Sequence, residues 1–340
     1  MPNLKVKTTA IKSRNSSLDV LKGIAAIFVV FIHALFPGRV GELISDIGAF
    51  AVPVFFMVSG YFALNSSKEK LKKSIIHILQ LIGIAYALNV IRIFISNSFS
   101  FADTLGYFKD EIFTFKHIAL WLVFNSTYVA GVAWFLFALL YCYLFCYVFH
   151  KLYQSKYVYA IIALGFIGGV ACAILLPSIG ISGLTTRNFW FCGIPYFLSG
   201  KFIHDKGEKL IQKNHDIYII SVAIIGLAII IIGSLFYKGI IYVGGICLSI
   251  ALFIMCVRYP NFENKLLQQI GNKYAFFIYI GHPIVIHIFD GVFGEIYGVL
   301  TWLRPLIILA VTVICAVVFY AIRGWVSNAE FSKAKPNRLD

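Results

Sequence analysis

The chain has 340 residues, of which 60% are hydrophobic and 13% charged, with a mean hydropathy of +0.86 and a formal net charge of +14. An ordinary soluble domain is roughly 25% charged, so most soluble folds are excluded. One membrane-crossing helix uses about 20 apolar residues, and the composition allows on the order of ten. The expected class is therefore all-α, a polytopic bundle of about ten transmembrane helices whose solvent is the bilayer.

The N-terminus, Lys5 to Arg14 followed by an apolar run, imitates the charged and hydrophobic regions of a signal peptide. The run from Leu18 to Phe36 would make about 28 Å of helix, long enough to span, and no small-x-small site follows it. It reads as a retained first span. Further apolar windows bounded by charges, Gly, Pro or Asn predict spans near 18–37, 44–64, 74–95, 131–150, 157–176, 188–204, 216–236, 240–257, 274–290 and 303–322. Between the third and fourth lie an amphipathic loop, 104–116, and an apolar stretch, 118–124, too short to cross.

Ten spans put both ends on one side. Of the 29 Lys and Arg residues, 22 fall on the side of the termini and 6 on the other, with Arg92 inside a span. The positive-inside rule then makes both termini cytoplasmic. The expected organisation is a cytoplasmic tail (1–17), a membrane domain (18–322) and a second cytoplasmic tail (323–340), in a cell membrane. Because the basic excess sits in short clusters between spans, it implies no nucleic-acid partner.

The seven cysteines are scattered inside apolar segments without CxxC pairs. Cys142, Cys146 and His150 share a face at i, i+4 and i+8 but lack a fourth ligand, so the stripe reads as core and no metal is expected. No P-loop, GxGxxG, HExxH or Gly-x-Ser-x-Gly is present.

Ionisable groups within spans are costly and mark function by default. Lys22 and His33 are 11 residues apart, three turns plus about 20°, so they lie on one face of the first span about 16 Å apart along its axis. Asp19 shares that face. Lys22 is either an interfacial anchor or a functional cation, and His33 either a packing donor or a reactive imidazole.

Later motifs bear on this. They are Val52-Pro53-Val54-Phe55-Phe56-Met57-Val58-Ser59-Gly60-Tyr61 followed by Lys68-Glu69-Lys70-Leu71-Lys72-Lys73, then Val132-Ala133-Trp134-Phe135, Ile194-Pro195-Tyr196-Phe197-Leu198-Ser199-Gly200, and Tyr279-Ile280-Gly281-His282-Pro283. In this order, and with Lys22-Gly23-Ile24-Ala25 running to His33, they resemble the integral-membrane acyltransferase 3 family over about residues 14 to 322. The resemblance implies transfer of acyl groups from cytoplasmic acyl-CoA to hydroxyls of surface glycans and similar acceptors. It implies that His33 is catalytic and that Lys22 stands where most members have Arg. Lys70 and Lys73 stand where the family tends to have Arg-x-x-Arg. Lys offers a point charge rather than a bidentate fork.

The residues fit that chemistry. A cytoplasmic Lys cluster can hold the phosphates of acyl-CoA, most simply acetyl-CoA, entering as donor with no permanently bound cofactor. A polar-lined path through the bundle would admit the pantetheine arm, and the distance of about 16 Å between Lys22 and His33 is of the right order for its length. With an ordinary pKa of about 6.5, His33 can act as general base on an acceptor hydroxyl or form an acyl-histidine relay. Ser59 and Tyr61 are candidates for the lining of the path, or Ser59 for a small-residue helix contact. On the acceptor side, for a surface glycan or glycolipid, the candidates are Arg92, Trp134, Arg187 and His282. Each has a structural alternative: an anchor, an aromatic belt, a surface loop and a Pro kink. His287, five residues beyond His282, lies on another face. The rival function is a transporter or flippase for a small polar or lipid-linked substrate, although the two halves lack matching broken helices. Oligomeric state is not legible.

Overall fold

The computed structural model describes residues 15–333 apart from 64–65, 98, 126–130, 180–185, 212–214 and 295. Every regular element among them is helical. In chain order these are α1 (Ser16–His33), α2 (Gly38–Ile47), which passes through a 3-10 turn into α3 (Ala51–Phe62), α4 (Lys68–Ser96), α5 (Phe101–Tyr107), α6 (Phe115–Phe124), α7 (Trp134–Val148), α8 (His150–Tyr153) and α9 (Val158–Leu175). A π turn, Phe189–Gly193, opens α10 (Ile194–Ile211). It is followed by α11 (Asp216–Leu235), α12 (Ile241–Arg258), α13 (Lys265–Gln269), a second π turn at Ile270–Tyr274, α14 (Ala275–Phe293) and α15 (Val299–Lys333).

Nine helical stretches among the described residues are long and apolar enough to cross a bilayer, and each coincides with an expected span. The remaining expected span, 188–204, is helical too and runs on to Ile211, about 35 Å from Phe189. It is less apolar because Lys201, Asp205 and Lys206 fall in its second half. Lys201, although inside the expected span, counts with the loop charges of 201–215, and Asp205 and Lys206 lie past the expected end at 204. Instead Lys201 is 7% exposed, its Nζ lies 2.6 Å from Asp205 and it sits over the Tyr153 ring. The protein, rather than lipid, surrounds this helix, since every described residue from Cys192 to Lys201 is buried.

α10 owes that central place to α3. A Cβ at Gly60 would lie 1.7 Å from the Phe197 carbonyl oxygen, and one at Gly200 would lie 2.0 Å from that of Met57. Only glycine lets two backbones meet at that range, the small-residue contact that replaces hydrophobic drive inside a membrane. Ser59 is spent on the same helix, donating to the Phe55 carbonyl at 2.9 Å.

The second organising contact joins α1 to the continuous helix from Lys265 to Phe293. Its start is pinned by polar groups. Asn15 caps α1 by accepting from the Leu18 N–H and donates to the Cys256 carbonyl, while the Ser17 hydroxyl donates to the Tyr259 carbonyl. From there a Cβ at Gly23 would strike the Leu267 carbonyl and one at Gly271 the Asp19 carbonyl. The 104–116 loop is largely helical, as α5 and a π turn, with α6 too short to span. α15 runs beyond the expected end of its span at 322 to Lys333.

Replacing Gly200 by Val should lower the midpoint of thermal unfolding in detergent, since overpacking costs about 1–3 kcal/mol where neighbours can shift and a backbone carbonyl shifts least. Gly83→Val, where nothing lies within contact distance, should leave the midpoint in place. Equal melting of the two variants would contradict the α3–α10 contact.

Candidate active site

The face of α1 that begins at Asp19 and Lys22 ends one helix length later at His33. At one end, Lys22 Nζ pairs with Asp19 at 2.7 Å and its Cβ would meet a Cβ on Gly271 at 3.0 Å. At the other, the His33 ring lies against the ring of His282, centroids 5.1 Å apart and planes at 33°. Residues 22 and 33 therefore meet residues 271 and 282 of the same partner helix. The shared face predicted from spacing is real, but it is packed against a helix. The space along it is filled by α13 and α14.

His33 itself opens into a cavity of about 610 Å³. Distant segments converge on it: Asp46 from the end of α2, Trp134 from the start of α7, Arg187 from the segment before α10, Tyr196 from α10, Tyr242 from α12 and Tyr279 from α14. Two tyrosine hydroxyls are committed to the walls, Tyr242 donating to the Phe191 carbonyl and Tyr279 to that of Val132. At the rim, Lys238 pairs with Glu42 at 3.3 Å, both side chains more than half exposed.

His282 is fully buried. Its Nδ1 lies 2.9 Å from the Ile278 carbonyl, which can only accept, so Nδ1 carries the proton. Nε2 is then a lone pair, buried without a hydrogen-bond partner. Next to it, Pro283 lacks the N–H that would bond Tyr279, loosening the helix where the two imidazoles meet.

Asn125 escaped the reading of the sequence. It is fully buried in the left-handed conformation at φ 47°, capping α6. Its side chain accepts from the Phe189 N–H at 2.6 Å and donates to the Trp134 carbonyl at 3.0 Å. It thus ties the start of α7 to the segment bearing Arg187. The usable signal was an Asn closing an apolar run, where helices often end left-handed. Asn188 is buried and caps the π turn by accepting from the Phe191 N–H, so it holds backbone rather than reaching into the cavity.

Of the expected site residues, His33, Trp134 and Arg187 line the cavity and His282 backs it. Ser59, Tyr61 and Arg92 are not among its lining residues. The Tyr61 carbonyl meets His204 Nδ1 at 2.7 Å and its ring stacks on His204 at 4.3 Å, while Arg92 bonds Asn89 on α4. Lys70 and Lys73, like Lys72, are exposed on the first turns of α4. A smaller recess of about 290 Å³ lies at the Lys22 end, bordered by Ser16, Asp19, Lys265, Gln268, Asn272 and Lys273. Its two lysines were counted in the sequence only as loop charge.

The profile of a family described as an acyltransferase domain, the acyltransferase 3 family, matches residues 15–321. A protein named amino-acid racemase from Enterococcus faecalis is 29% identical over 218 residues, which covers 59% of this chain and 29% of that protein. The chain thus spans under a third of the length of that curated relative. No solved structure gives a significant match.

Asn125→Ala should lower the unfolding midpoint in detergent by leaving the Phe189 N–H buried without an acceptor, at a cost of about 1–3 kcal/mol. Unchanged melting would show that the tie between α6, α7 and α10 carries no stability.

Proposed function

The chain belongs to the acyltransferase 3 family, and on that footing we propose that it moves an acyl group, acetyl by preference, from cytoplasmic acyl-CoA to a hydroxyl of a surface glycan or glycolipid. On this reading the protein lies in a bacterial cytoplasmic membrane with both termini inside, as the distribution of Lys and Arg favours. The Lys22 end of α1 then faces the cytoplasm and the His33 end the outer half of the bilayer.

The observation that carries the reading is His33 opening into a large cavity while its ring leans on a buried His282. The cavity lies within the usual size range of small-molecule sites. Acting as general base, His33 accepts the proton of the acceptor hydroxyl as that oxygen bonds to the thioester carbonyl carbon. Collapse of the tetrahedral adduct breaks the C–S bond, and the departing thiolate takes the proton from the imidazolium to leave as free CoA. Atoms and charge balance without a resident cofactor.

His282 is a positioning residue here. Its ring lies against that of His33, and its Nε2, which has no hydrogen-bond partner in this structure, becomes an acceptor for a His33 N–H on closer approach, the role that a carboxylate plays for other catalytic histidines. Donor phosphates would be met at the cytoplasmic end by lysines, as point charges. Lys265 and Lys273 border a recess beside Asp19 and the Lys22 pair, whereas Lys70, Lys72 and Lys73 lie open on α4. The pantetheine arm must cross about 16 Å to reach His33, by a route other than the packed α1 face.

His33→Ala in purified, folded protein should reduce transfer of radiolabel from acetyl-CoA to a cell-surface glycan fraction by about 10²- to 10⁴-fold. Normal transfer would exclude the base. His282→Gln should lower kcat with little change in KM for the donor and shift the pH–rate profile. A profile identical to wild type would reduce His282 to packing. In separate variants, neutralising Lys265 with Lys273, and Lys70 with Lys72 and Lys73, should raise KM for acetyl-CoA. The set causing the larger rise identifies the phosphate seat, and no rise in either would count against a lysine-bound donor.

A further inference from the structure

The cavity contains two charged groups that the transfer step does not use. α2 carries Glu42 and Asp46 one turn apart, so Asp46 lies about 6 Å further along the helix than the rim pair of Glu42 and Lys238. Asp46 lines the cavity, and its Oδ2 is buried without a hydrogen-bond partner. Arg187 lines the same cavity from the segment leading into α10 and forms no ion pair among the described residues. The two do not pair with each other.

The buried, unpartnered carboxylate oxygen of Asp46 is costly until something supplies a donor, and the more exposed Arg187 guanidinium faces the same cavity. Three tyrosine hydroxyls and the lysine of the lining are already occupied, Tyr237 donating to the Ile174 carbonyl. Tyr242 and Tyr279 give their hydroxyl protons to backbone carbonyls and offer rings instead, and Lys238 is held by Glu42. Recognition by charge therefore falls to Asp46 and Arg187, with Trp134 as an aromatic wall.

We infer that the cavity is built for an acidic sugar, a pyranose bearing a carboxylate or phosphate. Its anionic group is held by the Arg187 fork, which matches either anion bidentately. Vicinal hydroxyls donate to the Asp46 carboxylate, and the apolar ring face lies towards Trp134. The inference rests on the proposed function for taking this cavity as the seat of the acceptor, and it adds what kind of acceptor fits.

Binding tests it without any need for acyl transfer. Full-length protein in lipid nanodiscs is titrated with digalacturonate, glucose 1-phosphate and the neutral disaccharide cellobiose, with calorimetric readout. Digalacturonate, glucose 1-phosphate or both should bind about tenfold or more tightly than cellobiose, the gain expected of a charge-assisted hydrogen-bonded pair. Which of the two wins separates carboxylate from phosphate. Arg187→Gln should abolish the preference, and Asp46→Asn should weaken all sugars while leaving the preference intact. Cellobiose binding as tightly as both acidic probes, binding of none of the three, or a preference that survives Arg187→Gln would overturn the inference. Preferential binding by a protein that transfers no acyl group would leave the inference standing and remove the proposed activity.

Discussion

Much of the structure depends on the contact between α1 and the helix from Lys265 to Phe293, made possible at Gly23 and Gly271. In a bilayer no hydrophobic force draws helices together, since lipid tails are as apolar as leucine, and association relies on close packing and polar ties. Here the two backbones touch at one end, with Cβ positions 1.9 to 2.2 Å from carbonyl oxygens. The helices run side by side, and the same contact that closes at Gly271 delivers His282 to His33 at the far end. The α3–α10 pair, through Gly60 and Gly200, does the same for the centre of the bundle and sets Tyr196 against the cavity.

Charge is treated differently in the two halves of the problem. Asp19, Asp205, Asp216 and Asp290 each meet a basic side chain within 3 Å, namely Lys22, Lys201, Arg258 and Arg304. Such pairing is the usual condition for an ion to persist in an apolar surrounding. Asp46 and Arg187 stand apart from this pattern, and they share the cavity with His33. Tyr242 and Tyr279 on its walls are bonded to backbone carbonyls, and Asn125 ties the backbone of Trp134 to that of Phe189. A rigid frame with unspent charge inside it is the usual arrangement of a binding site, where the support is satisfied in advance and the contacts are left open.

The helices were legible because apolar length is a local property, and the Lys22–His33 face because helical period is arithmetic. His33, Trp134 and Arg187 could be picked out as unusual residues at span ends. Asp46 could not, because its meaning comes from the cavity it lines together with Arg187, Tyr196 and Tyr279, residues more than a hundred positions away in the chain. Asn125 looked like a loop residue until its two bonds joined α6 to α7 and α10. Lys201 and Asp205 were read as loop charge because a window of hydropathy cannot tell a helix leaving the membrane from one shielded by protein. What the Lys22–His33 face meets was not legible for a related reason: a face with polar residues at regular spacing is compatible with a channel wall or with a packed seam, and the contacts at Gly23 and Gly271 decide for the seam.

The π turn at Ile270–Tyr274 has a consequence for how this chain can vary. It lies between Lys265 and His282 in the partner helix of α1, and a single π turn amounts to an inserted residue. Each residue of α-helix advances the side-chain direction by about 100°. The direction in which His282 points is therefore a matter of how many residues separate it from Gly271, as much as of which residues they are. A one-residue deletion within α14, between Ala275 and Gly281, would swing the imidazole more than a quarter-turn away from His33 while leaving composition, hydropathy and helix content almost untouched.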